Sequence, residues 1–150
     1  MTTLQRLLAG NCYFAVHSLA DSPIHYSFRL SLDPSGLPPM GREIKDDNNN
    51  AFAYHNGQLY NIFVKNQATG RYHRIGDLQI VNKIPRFTWW RSLEWVRAKV
   101  MLRQAIAGKL PVTFARRCCR CGKTMSVENS EKGYGSECEK YLKGGDTIDV

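Results

Sequence analysis

Two stretches near the start of the chain alternate between apolar and polar residues at the period of a strand. The first is Cys12–His17. The second is Ile24–Leu32, in which Ile24, Tyr26, Phe28, Leu30 and Leu32 fall on one face. Asp33-Pro34-Ser35-Gly36 then supplies turn chemistry, because proline fixes φ and glycine accepts positive φ. Residues 37–50 hold two prolines, charges of both signs and an Asn triplet, and read as a loop. A second sheet segment follows, with Leu59–Val64 and Arg71–Ile75 flanking a hairpin loop at Asn66–Gly70. Leu78–Val81 continues it or adds a strand. The first 87 residues therefore predict an antiparallel sheet of about four or five strands.

The strongest helical stretch runs from Thr88 or Ser92 to Ala107. Either residue can cap its start, Gly108 stands where a left-handed C-terminal residue belongs, and Pro111 blocks continuation. Its apolar residues make two stripes, Trp89, Leu93, Val96 and Val100 on one side and Trp95, Leu102 and Ile106 nearly opposite. Two stripes fit a helix held between the sheet and another body. A single well-buried core helix fits them equally. The expected fold class is α+β: a small antiparallel β-sheet packed on one long helix, followed by a C-terminal treble-clef or zinc-ribbon-like module. The expected divisions are a sheet region over 1–87, a basic helix and link over 88–112, and a zinc-binding module over 113–150.

At 150 residues and 17.1 kDa the chain makes one domain with at most a small appendage. Hydrophobic residues at 43% and charged residues at 23% exclude a largely disordered or collagen-like chain. No apolar run approaches the roughly 20 residues of a membrane helix. Leu7–Cys12 loosely resembles a lipoprotein cleavage box, but Asn11 separates Gly10 from Cys12 and the preceding apolar stretch is very short. The segment reads as the approach to a first strand, and the expected location is cytoplasmic.

Charge sharpens this picture. The net charge is +8 and the isoelectric point about 9.4. Residues 83–123 carry eleven basic residues against Glu94 alone, a net +10, whereas 1–82 carries +1 and 124–150 carries −3. Within that segment Arg91, Arg97, Lys99, Arg103, Lys109, Arg116, Arg117, Arg120 and Lys123 are candidate phosphate contacts, since guanidinium forks match phosphate oxygens in pairs. Phe87, Trp89 and Trp90 could stack on unpaired bases. A solvated helix face, with arginines paired to the acidic tail at Glu137, Glu139, Asp146 and Asp149, explains the same charges without a ligand.

Four of the five cysteines, Cys118, Cys119, Cys121 and Cys138, fall within 21 residues; the fifth is Cys12. An odd count without a secretory signal argues against a disulfide framework and for metal binding or free thiols. Cys118-x-x-Cys121-Gly122 is a zinc-knuckle arrangement, in which the spacer lets two thiolates converge and the glycine permits a tight turn. Gly133 and Gly135 precede Cys138, which opens the helix-favouring Cys138–Leu142. A knuckle, a loop and a ligand on a first helical turn outline a treble-clef or zinc-ribbon site. The fourth ligand is open among Cys119, Cys12 and one of His17, His25, His55 and His73.

The pattern Cys118-x-x-Cys121-Gly122-Lys123-x-Met125 … Ser130 … Gly133-Tyr134-Gly135-x-x-Cys138 resembles a family of small, uncharacterised zinc-ribbon-like modules. They recur at the C-termini of bacteriophage, actinobacterial and plasmid-borne proteins. Met125, Glu128, Tyr134 and Ser136 depart from that family's residues while sparing ligands and glycines. The family often has a His four residues before the first knuckle Cys; here that position is Phe114. The resemblance implies zinc and a phage origin, and no definite activity.

No Gly-rich phosphate loop, H-E-x-x-H helix motif or nucleophile elbow is present, and Glu43–Asp47 reads as a solvated loop. The expectation is a non-enzymatic, phage-encoded zinc protein that binds DNA or RNA through its basic helix and knuckle. The alternative is an inhibitor of a host defence nuclease or ribonucleoprotein, in the manner of an anti-CRISPR, acting by protein binding.

Overall fold

The computed structural model describes residues 2–20, 24–33, 58–81, 84–90 and 93–125. Their architecture is one antiparallel sheet of six strands with two short helices. The strands are β1 (Asn11–His17), β2 (His25–Leu32), β3 (Leu59–Lys65), β4 (Tyr72–Val81), β5 (Ile84–Trp89) and β6 (Val112–Phe114), and their order is β5-β4-β3-β2-β1-β6. The first five therefore form a meander. Helix α2 (Val96–Ile106) then returns the chain from the β5 edge to the opposite edge, where β6 pairs with β1.

Period-2 alternation decides what lies inside. Cys12, Phe14 and Val16 of β1 pair with Leu30, Phe28 and Tyr26 of β2, and Leu30 and Phe28 pair in turn with Ile62 and Val64 of β3. These residues form one face, and Phe28, Leu30, Ile62 and Val64 are wholly buried. Burying each such side chain is worth about 1.5–3 kcal/mol. Helix α1 (Thr3–Leu7) closes part of this face with Leu7 and Leu8, and the buried Tyr60 hydroxyl donates to the Leu8 carbonyl at 2.7 Å. A reciprocal Thr2–Gln5 capping box starts that helix. Helix α2 covers more of the face with Ala98, Met101, Leu102, Ala105 and Ile106.

The hairpin at Asn66–Gly70 forms as the sequence predicts, with Gly70 at φ +72° and Asn66 Oδ1 accepting from the Ala68 N–H. The end of α2 follows the sequence as well. Gly108 adopts φ +78°, its N–H donates to the Ala105 carbonyl, and the Lys109 N–H donates to the Gln104 carbonyl, which is a Schellman closure.

The expected sheet packed on one long helix is corrected. The helix spans 11 residues, and Thr88 and Trp89 belong to β5. In Ile84–Trp89, β-forming residues alternate and pair with Val81–Gly76 of β4, so strand pairing claims the residues that helical spacing also fits. Pro85 is tolerated because β5 is an edge. Neither Thr88 nor Ser92 is the cap: Trp95 is, in left-handed conformation at φ +63° and without a side-chain cap bond. Among the described residues only one helix face is covered, since Val96 and Val100 are each more than half exposed. Strands β5 and β6 are additions to the expected sheet. The module's loop and helix, including Cys138, and residues 34–57 lie outside the described residues.

Gly76 lets β5 approach closely. A Cβ there would meet the Thr88 carbonyl oxygen at 2.5 Å and the Trp89 ring at 2.9 Å. Gly76→Ala is expected to lower stability by about 1–3 kcal/mol, read by urea denaturation, whereas an unchanged midpoint would show that the β4–β5 contact is looser.

Candidate nucleic-acid interface

Strand β4 and the end of β5 set the first part of the site. The β3–β4 register shifts between Ile62 and Phe63, which pair with Gly76 and Arg74 and leave Ile75 as a bulge residue. The carbonyl of Ile75 accepts the Trp90 N–H at 2.9 Å, so the bulge fixes Trp90 at the end of β5. Arg74 lies 5.0 Å from the Trp90 ring centroid and pairs with Asp77 at 2.6 Å.

On the helix-covered face, Phe87 and Trp89 stack at 5.1 Å with an interplanar angle of 15°. One helical turn apart on α2, Arg103 stands 5.3 Å from the Phe87 ring and Lys99 stands 6.0 Å from the Trp89 ring. Spacing of i and i+4 on the helix thus matches alternate residues on the strand. Val96, Val100 and Gln104 complete a groove of about 470 Å³ beside this ladder. Arg97 is exposed on the same helix and Lys109 just beyond its end; Arg91 lies outside the described residues.

The knuckle is built on the other side of the sheet. The Cys118 N–H donates to the Lys123 carbonyl and the Gly122 N–H to the Cys118 carbonyl, both at 2.8 Å. Gly122 takes φ +79°, and a Cβ there would stand 2.5 Å from Asn11 Nδ2, so the turn needs glycine on two counts. Asn11 clamps the turn. Its N–H donates to the Cys119 carbonyl at 2.9 Å, its Nδ2 donates to the Cys121 carbonyl at 3.3 Å, and its Oδ1 accepts from Arg29 Nε at 2.7 Å. Arg29 lies 5.4 Å from the Tyr13 ring centroid and 5.2 Å from that of Phe63, on the face opposite α2. Arg117 covers Tyr13 at 4.7 Å and donates to the Gly122 carbonyl at 3.0 Å. Tyr72 meets Tyr13 edge-on at 5.5 Å, and burial pushes its phenol pKa up, with Tyr13 adding to the rise and Arg117 and Arg29 opposing it.

The sheet therefore divides the basic segment. Lys99 and Arg103 face the helix side, and Arg117 faces the other. Arg116 and Lys123 are exposed on the knuckle, and Arg120 is half-buried with its backbone against Gly10. Sequence reading missed Arg6, which sits 3.8 Å from the Phe114 ring, and the clamp Asn11; neither falls in a motif.

The thiols separate by environment. Cys119 and Cys12 belong to the sheet's hydrophobic core, Cys118 is buried, and Cys121 is exposed. Burial pushes the Cys12 thiol pKa well up, and the neighbouring Cys119 adds to it. Rings of His17 and His25 lie 5.7 Å apart, His17 shares a hydrogen bond with Thr113, and His73 is exposed. His55 and Cys138 lie outside the described residues. Among the described residues, no three Cys, His, Asp or Glu side chains come together to hold a metal ion.

Among the described residues these features define a mostly β protein, a six-stranded antiparallel sheet with two short helices, that carries a cation–aromatic ladder on one face of the sheet and a clamped cysteine knuckle on the other. Compared with protein-family models, curated proteins and solved structures, the chain finds no match. No helix among the described residues is long and apolar enough to cross a membrane.

Proposed function

We propose that the protein is a non-enzymatic nucleic-acid-binding protein, and that the α2–β5 face makes the principal contact. The observation that carries this is the ladder of Lys99 and Arg103 over Trp89 and Phe87, within a segment of net charge +10. Cations held on aromatic rings suit a phosphate backbone lying beside bases, because charge and π-surface are then offered together. Arg97 on the helix and Lys109 just beyond its end add exposed positive charge. Arg116, Arg120 and Lys123 of the knuckle provide a second contact for a strand that wraps the sheet edge.

Zinc is the ion we assign to the knuckle. Cys118 and Cys121 bracket a turn whose glycine and backbone bonds suit a two-thiolate clip, and Cys138 would supply a third sulfur. When bound, zinc supplies folding energy to the C-terminal segment rather than chemistry. Asn11 ties the clip to β1, so that ordering the module also orders the surface that Arg117 shares with Tyr13.

The exposed apolar stripe favours a second reading. Among the described residues nothing covers Leu93, Val96 and Val100, as in a protein that docks on another protein. An inhibitor of a host nuclease or ribonucleoprotein would use that stripe together with the basic face. Pull-down from nuclease-treated lysate separates the two, because a stoichiometric protein that survives treatment favours inhibition.

Affinity for a single-stranded oligonucleotide is expected to fall with salt, with a log–log slope of about −0.7 for each phosphate neutralised. Replacing Lys99 and Arg103 together by Gln should make that slope shallower by about 1.4. Salt-independent binding, or an unchanged slope in the double variant, contradicts the assignment of this face. Cys121→Ser is expected to release the metal, as counted by elemental analysis; full retention would show that Cys121 is not a ligand.

A further inference from the structure

A cavity of about 290 Å³ opens beside the ladder, where the β3–β4 hairpin, the end of β5 and the start of α2 meet. Trp90 and Trp95 line it, together with His73, Arg74, Asn66 and Lys99; among the described residues Glu94 is its one acid. We propose that this cavity takes one unpaired base of a single-stranded nucleic acid, which makes the protein selective for single strands over duplex. The inference rests on the nucleic-acid reading above and adds to it the class of ligand.

Size comes first. Ligand pockets run from roughly 300 to 1,000 Å³, so this one falls just below that range, suited to a single base and not to a larger cofactor. Its walls are aromatic and its rim is mostly basic or polar, the combination that holds a planar base by stacking and its phosphate by charge. Trp90 is 49% exposed although two separate contacts fix it, the Ile75 bulge carbonyl on its N–H and Arg74 on its ring. A large aromatic held rigidly yet left half in water offers a stacking surface with little entropy left to lose.

Two further features converge on the same place. Arg74, whose Nε is buried without a hydrogen-bond partner among the described residues, lines the cavity and lies 5.0 Å from the Trp90 ring centroid. Trp95 is the only non-glycine residue at positive φ among the described residues, and it lies between the cavity and the uncapped start of α2. A bulky residue in that conformation is strained, and the strain accompanies its placement on the cavity wall. Lys99 joins the two surfaces: it contacts the Trp89 ring in the ladder and lines the cavity, and its Nζ lies 3.5 Å from the Trp90 carbonyl. A strand whose phosphates follow the helix therefore reaches the cavity with its next base. A duplex cannot deliver an unstacked base without first breaking a pair.

The test compares full-length protein binding to a single-stranded oligonucleotide of about ten nucleotides and to the duplex of the same sequence, at one fixed salt concentration. Trp90→Ala is expected to weaken single-strand binding roughly five- to 150-fold and to leave duplex binding unchanged. Trp90→Phe, which keeps a stacking face, should restore most of the loss. Trp90→Leu, which keeps apolar bulk without a π-face, should behave as Trp90→Ala does and covers the case in which the alanine variant fails to fold. Equal weakening of both probes, no weakening of either, or rescue by Leu as good as by Phe would overturn the base site. Wild-type protein that binds neither probe contradicts the nucleic-acid reading itself, whereas equal wild-type affinity for both contradicts only this inference.

Discussion

Strand β1 is the constraint on which the rest of the described structure depends. It lies between β2 and β6, and its alternation sends Cys12, Phe14 and Val16 into the core while Asn11, Tyr13 and His17 take the other face. The inner residues receive both helices. The outer ones receive the knuckle, through the two hydrogen bonds that Asn11 donates to the Cys119 and Cys121 carbonyls and the Arg117–Tyr13 contact. A one-residue slip of β1 would exchange these sets, placing Asn11 in an apolar core and the buried thiol of Cys12 in water. Helix packing and knuckle placement are thus two consequences of one register.

That register also explains why the positive charge acts as two surfaces. Along the chain the basic residues from Lys83 to Lys123 form one block. In space, α2 carries Lys99 and Arg103 on the helix-covered face, and the return through β6 brings Arg117 out beside Tyr13 on the other. Arginine on the knuckle side is held by aromatic rings and backbone carbonyls, so part of its charge serves the clamp. The ladder on the helix side leaves apolar and cationic groups at the surface together, which is the arrangement a flexible polyanion with exposed bases can use.

Strands β1 to β4 and the Asn66–Gly70 hairpin were legible in the sequence because alternation and turn residues agree there. Gly108 was legible as the helix end for the same reason: only glycine takes the left-handed position cheaply. The start of the helix was not. Thr88 and Ser92 have cap chemistry, but Thr88 is paired in β5, and pairing across a strand is a long-range fact that local chemistry does not carry. Strand β6, three residues long, has no period to read. Asn11 is an ordinary residue by type, and its role arises from meeting residues more than 100 positions away. Cys119 sits in the most metal-like run of the chain, yet the fold places it in the hydrophobic core beside Cys12.

The principal nucleic-acid contact we propose is the α2–β5 face and not the opposite face of the sheet. Chemical-shift mapping of the labelled full-length protein, titrated with a short single-stranded oligonucleotide, tests it most directly. The amides of Lys99 and Arg103 and the indole N–H signals of Trp89, Trp90 and Trp95 are expected to move together, while Arg29, Phe63 and Tyr72 stay in place. Shifts centred on Tyr13, Arg29 and Tyr72, with the α2 signals unmoved, would contradict it.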